Sequence, residues 1–104
     1  MKAHFSFDHR LGIEIPDLAA EWEEYSKKTQ EEILLHWEQI RGSIPDRIAE
    51  LEKEINQKQA QLSNENDFLR SCQLNTEIAE LASIINDLWI WYRANQTISG
   101  KVHH

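Results

Sequence analysis

His36 follows Glu32 by four residues, a spacing that sets an imidazole and a carboxylate over the same stretch of helix face. Such a pair could help hold a metal ion, but two ligands are too few, and the paired Glu-x-x-His pattern of di-metal helical bundles does not occur. The sequence therefore reads His36 as a helix-face histidine paired with Glu32, and no metal or other cofactor is expected. Cys72 stands two residues before Leu74 with only Arg70 as a nearby cation, so it is expected as a small buried residue and not as a reactive thiol. His4 and His9 lack companion ligands, and no Ser, Cys or Asp lies at a diagnostic nucleophile spacing from a histidine. No catalytic residue is expected, and the chain is read as non-enzymatic.

Binding chemistry is better represented. Four tryptophans occur, and Leu88 to Tyr92 reads LWIWY, apolar all round. Trp22 and Trp37 share a helical face with Leu18, Tyr25 and Ile40, as core residues do. Trp89 and Trp91 lie about 200° apart around a helix, so one of them is left as a candidate for an exposed contact. The interaction candidates are accordingly Trp37, Leu88, Trp89, Trp91 and Tyr92. A ligand- or metal-binding bundle built on His36, Glu32 and this aromatic end is the alternative.

The elements that must position these residues are helices. Apolar residues at Ile44, Ile48, Leu51, Ile55 and Leu62 fall on one face, and the pattern stumbles at SNEND, residues 63 to 67. It then resumes through Leu74, Ile78, Leu81, Ile85, Leu88 and Tyr92 in steps of four and three. The stumble collects capping and turn residues, so it is read as a turn between antiparallel helices at about 44–63 and 67–95, with Asn66 or Asp67 capping the second. The competing reading is one rod of roughly 78 Å.

Upstream, Pro16 and Asp17 suit the start of a helix, and neither Gly nor Pro interrupts the chain before Gly42. A helix is expected over about 17–41, with Thr29 and Glu32 as either a capping box or ordinary interior positions. Gly42, Ser43 and Pro45 then mark the clearest boundary in the sequence. The expected fold is all-α: a three-helix bundle, with dimerisation as a second way to cover its apolar surface. Residues 1–16 alternate apolar and polar and form an extended arm or small hairpin, residues 17–96 a single helical domain, and 97–104 a flexible tail. His103 and His104 end that tail. Folding back at SNEND leaves Leu88 to Arg93 beyond the end of the preceding helix. Their expected cover is the end of the first helix at Trp37 and Ile40, or the same region of a second subunit.

A formal charge of −7 with 11 scattered cations excludes the basic face that nucleic-acid binding needs. Seven carboxylates lie between Glu14 and Glu32 against Lys27 and Lys28, which suits a protein partner with a basic surface. One cysteine, no signal-peptide pattern and no apolar stretch of membrane-spanning length give the expectation of a soluble cytoplasmic protein. Size, acidity and helical hairpin invite comparison with the small secreted WXG proteins, but the resemblance fails at the residues that would carry it. The turn reads SNEND where those carry Trp-x-Gly, and Gln96 stands where an acid would follow Tyr92, so no family is assigned and no functional residue carries over. The sequence thus predicts a small helical adaptor or regulator acting by protein–protein interaction, and itself a homo-oligomer.

Overall fold

The computed structural model describes residues 4–94. Two strands, β1 (Phe5–Asp8) and β2 (Ile13–Pro16), precede a single 3-10 turn at Trp22–Glu24 and two long helices, α1 (Lys27–Ser63) and α2 (Phe68–Arg93). The helices form an antiparallel hairpin within a molecule 59 Å long, and β1 and β2 pack against its open end. The expected three-helix bundle is therefore wrong, and so is the all-α class: the third layer is a two-stranded antiparallel sheet. No helix among the described residues is long and apolar enough to cross a membrane. The tail expected at 97–104 lies outside the described residues.

Two misleading signals pointed to the third helix. The first is the boundary at Gly42 and Pro45, which α1 runs straight through. An interior Pro costs a helix about 3 kcal/mol and an interior Gly about 1. Against that stand Ile33, Trp37, Ile44, Ile48 and Leu51, all buried along one unbroken stripe. Each contributes roughly 1.5–3 kcal/mol, so their sum exceeds the cost severalfold. A break at Gly42 would throw Ile33 and Trp37 out of phase with Ile44. The apolar steps 33, 37, 40, 44, 48, 51 keep one phase across the Gly and Pro, and that phase carried the information the punctuation residues obscured.

The second is residues 17–26, which form no α-helix. The N-cap of α1 is Ser26, whose Oγ accepts a hydrogen bond from the Thr29 N–H at 3.1 Å. Thr29 is thus neither of the two things expected of it: it is the third residue of a helix that opens at Lys27. Upstream, Leu18, Trp22 and Tyr25 bury themselves against the core from an irregular strap. Gln30 Nε2 donates to the Trp22 carbonyl at 2.8 Å, and the Tyr25 hydroxyl accepts from the Ala20 N–H at 3.2 Å. Side-chain partners replace helical ones because a helix this short gains little by itself.

The strands follow the period-two pattern, pairing Phe5 with Pro16, Ser6 with Ile15, Phe7 with Glu14 and Asp8 with Ile13. Their loop is built around Asp8. Its carboxylate accepts from the Leu11 N–H at 2.8 Å and its carbonyl from the Gly12 N–H at 2.7 Å. Gly12 sits at φ +78°, so the backbone favours glycine, and a Cβ there would lie 2.5 Å from Arg47 Nε and push that flexible side chain aside.

The hairpin docks where the two helices meet. Phe5, Leu11 and Ile13 join Ile33, Trp37, Ile44, Ile48, Leu51, Ile84 and Leu88 in one core. Arg47 Nε, from α1, donates to the Leu11 carbonyl at 2.8 Å. From the loop, the Arg10 guanidinium spreads over α2, donating to Glu80 Oε1 at 3.1 Å, Ser83 Oγ at 2.9 Å and Asp87 Oδ2 at 2.7 Å. Those hydrogen bonds, first to Asp87 and then to Glu80, raise the guanidinium pKa further above its already basic value. The docked hairpin also explains why Ile84, absent from the sequence-derived seam, is buried while Leu81 and Ile85 are only half-buried.

At the other end, the SNEND turn is real. Asn64 ends α1, and Asp67 caps α2 by accepting from the Leu69 N–H at 3.0 Å.

Candidate functional site

Two regions collect the side chains that could do chemistry or make contacts: the aromatic end beside the β-hairpin, and the tip at SNEND. At the aromatic end, α1 continues back to Lys27, so its residues 33–41 lie alongside Leu88 to Arg93. No overhang is left to cover. Trp37 and Leu88 are buried, at 1% and 0% exposure, while Trp89, Trp91 and Tyr92 are half-buried. The Trp37 and Trp91 rings meet edge to face at 5.6 Å, and Trp89 and Tyr92 do the same at 5.4 Å. Arg41 secures the end of α2: its Nε donates to the Tyr92 carbonyl at 2.8 Å and its guanidinium lies 4.8 Å over the Tyr92 ring. One side chain thereby satisfies a last-turn carbonyl and supplies a cation–π contact.

The indole N–H of Trp37 is buried without a hydrogen-bond acceptor among the described residues. That costs roughly 1–3 kcal/mol. Burial of an indole returns about 4–6 kcal/mol from its apolar area, so the ring stays in. The geometry makes Trp37 and Leu88 the floor of the core, the outer edges of Trp89, Trp91 and Tyr92 reach solvent, and Ile90 between them is exposed.

His36 is engaged elsewhere than expected. Its Nε2 donates to Glu14 Oε1 at 3.0 Å, and its ring meets Phe5 edge to face at 4.6 Å, while Glu32 stays in solvent. The pairing expected with Glu32 is thus replaced by one across 22 residues. It fastens the sheet to α1, and no residue spacing within the helix could have announced it. Among the described residues, no group of three or more His, Cys, Asp or Glu could hold a metal ion.

The tip is the region sequence reasoning missed. Phe68 and Leu69 open α2 and are each 76% exposed. Cys72, one turn further on, is exposed as well, contrary to the buried position expected for it. Leu74 is 0% exposed and fixes the buried face of α2, and a residue two positions earlier points about 200° away. The available signal was two large apolar residues directly after a cap, both out of phase with the seam.

Charge is distributed unevenly. Of the seven carboxylates between Glu14 and Glu32, Glu14 is half-buried beside His36, and the other six are exposed around the base. Between base and tip, Lys58 Nζ donates to Glu77 Oε1 at 2.9 Å, and Arg70 Nη1 stands 3.9 Å from the same carboxylate. The hydrogen bond from Lys58 holds the Glu77 carboxyl below the usual carboxylate range, against a smaller opposing effect of partial desolvation.

No family model, curated protein or solved structure matches the chain.

Proposed function

We propose that the protein is a small helical adaptor that acts by binding another protein, without catalysis, through the apolar tip of its hairpin. The observation that carries this reading is the exposure of Phe68 and Leu69, two adjacent large side chains, at 76% each. They occupy the first turn of a helix whose cap fixes their backbone. A partner would therefore gain apolar contact without ordering a loop, which keeps the entropic cost of binding low. The exposed carboxylates at the base favour a partner with a basic surface, where they would raise the association rate and select among partners. An exposed unpaired thiol at Cys72 suits a reducing compartment such as the cytoplasm.

Cys72 offers the test, because it is the chain's single cysteine and lies one turn from the tip residues. A photo-crosslinker attached there should give a discrete protein adduct in extract of the source cell. The double variant Phe68→Asp with Leu69→Asp should lose that adduct while keeping its helical circular dichroism. An adduct that survives the double variant, or none from the parent chain, would refute the reading.

A further inference from the structure

The helical hairpin has two grooves that differ in chemistry. One groove continues from the β-hairpin and is lined by Glu54, Lys58, Thr76, Glu77, Glu80 and Leu81. It contains the ion pair of Lys58 with Glu77, and Arg10 reaches Glu80 at its edge. The opposite groove is lined by Glu52, Ile55, Asn56, Gln59, Ala82 and Ile85, with Glu52 the sole charge. On α2 its wall belongs to a second apolar stripe, Ile78, Ala82, Ile85 and Trp89, at spacings of four, three and four. Ala82 is exposed and the other three are half-buried. Among the described residues, no ion pair crosses this groove.

We infer that this charge-poor groove docks a second copy of the chain, so that two hairpins form a four-helix bundle. A chain of formal charge −7 repels its own copy over most of its surface. Only a face nearly free of carboxylates allows close self-approach. The same poverty of charge disfavours a basic partner here, since Glu52 alone could meet its cations. The apolar stripe from Ile78 to Trp89 runs about 17 Å along α2 and stops short of Phe68 and Leu69. Ala82 lets backbones approach near the middle of the groove, and the Asn56 and Gln59 amides can hydrogen-bond to their counterparts without placing charge in the interface. Every helix would then have a covered flank on each side, completing the layering that the β-hairpin supplies only at the base.

Phe68 and Leu69 lie outside this groove, so dimerisation through it is independent of binding at the tip. Sedimentation equilibrium of the full chain should give twice the 12.3 kDa monomer mass. Ala82→Glu buries like charges at the interface and should weaken the dimer at least about 100-fold while circular dichroism remains helical. Gln59→Glu, at an exposed position on α1, should weaken it in the same direction, whereas Thr76→Glu in the other groove should leave it intact. A parent chain that stays monomeric up to about 100 µM, well above the dissociation constants of stable homodimers, overturns the inference. So does an Ala82→Glu or Gln59→Glu chain that dimerises as tightly as the parent, or a Thr76→Glu chain that dissociates as Ala82→Glu does.

Discussion

The base and the stalk of this molecule use the same two helices and yet are built differently. At the base, α1 and α2 share a core with β1 and β2. In the stalk they have only each other. Of the 11 buried apolar residues among the described residues, ten belong to the base cluster and only Leu74 lies outside it. The contrast shows that pairing two long helices does not by itself make a core; what closes one here is a 12-residue strand pair, Phe5 to Pro16, inserted where the helices meet. Local stability tracks the buried area, so the stalk should open at lower free energy than the base.

The largest expected effect sits on the base side of that contrast. Trp37→Ala should remove about 3–5 kcal/mol, enough to unfold most of the chain, as read by denaturant titration. If the loss is under about 1 kcal/mol, the base is not the cooperative centre. Next in size is a gain. Pro45→Ala should stabilise by up to about 3 kcal/mol, and Gly42→Ala by about 1, because no atom lies within 4 Å of the new Cβ at position 42. A neutral or destabilising Pro45→Ala would mean that the helix does end there.

Smaller again is Gly12→Ala, which should cost roughly 1–2 kcal/mol from the positive φ. It also displaces Arg47 from the Leu11 carbonyl, so amides of β1 and β2 should exchange faster while those around Leu74 are unchanged. Equal acceleration at Leu74 would erase the division between base and stalk. The smallest effect belongs to the stalk. The folded-state pKa of Glu77 is depressed, so its ion pair contributes fully above the ordinary carboxylate value of 4.5 and is lost as pH falls through the lower folded value. The acid limb of the melting temperature, below pH 4.5, should therefore flatten slightly in Lys58→Met and remain unchanged in Lys53→Met, whose side chain makes no ion pair among the described residues.

Much of the stalk was legible in sequence because its determinants are local. Asp67 caps the helix directly after it, and the apolar phase fails at SNEND on the way to Leu74. The strands were legible as alternation, though whether the arm forms a hairpin depended on Leu11, Gly12 and Arg47 meeting across the fold. The continuity of α1 was misread because Gly42 and Pro45 are strong local signals, whereas the in-phase series from Ile33 to Leu51 acts only after its face finds a partner. His36 illustrates the same limit. Its true partner, Glu14, is brought near by docking of the sheet, while Glu32 merely has the right spacing. The aromatic end was located from sequence, but its division into a buried floor and a wet edge depended on helix continuity. Phe68 and Leu69 fall outside the seam, and periodicity identifies what is buried more readily than what is displayed.

His4 and Ala94, the first and last described residues, both lie at the base, one beside Tyr25 and the other closing α2. A pulling force applied across them would enter through the sheet and the open ends of the helices, peeling contacts one after another instead of shearing them together. Tension would reach SNEND only after the base had parted. The far tip, with Phe68 and Leu69, is thus the last part of the molecule that such a load would reach.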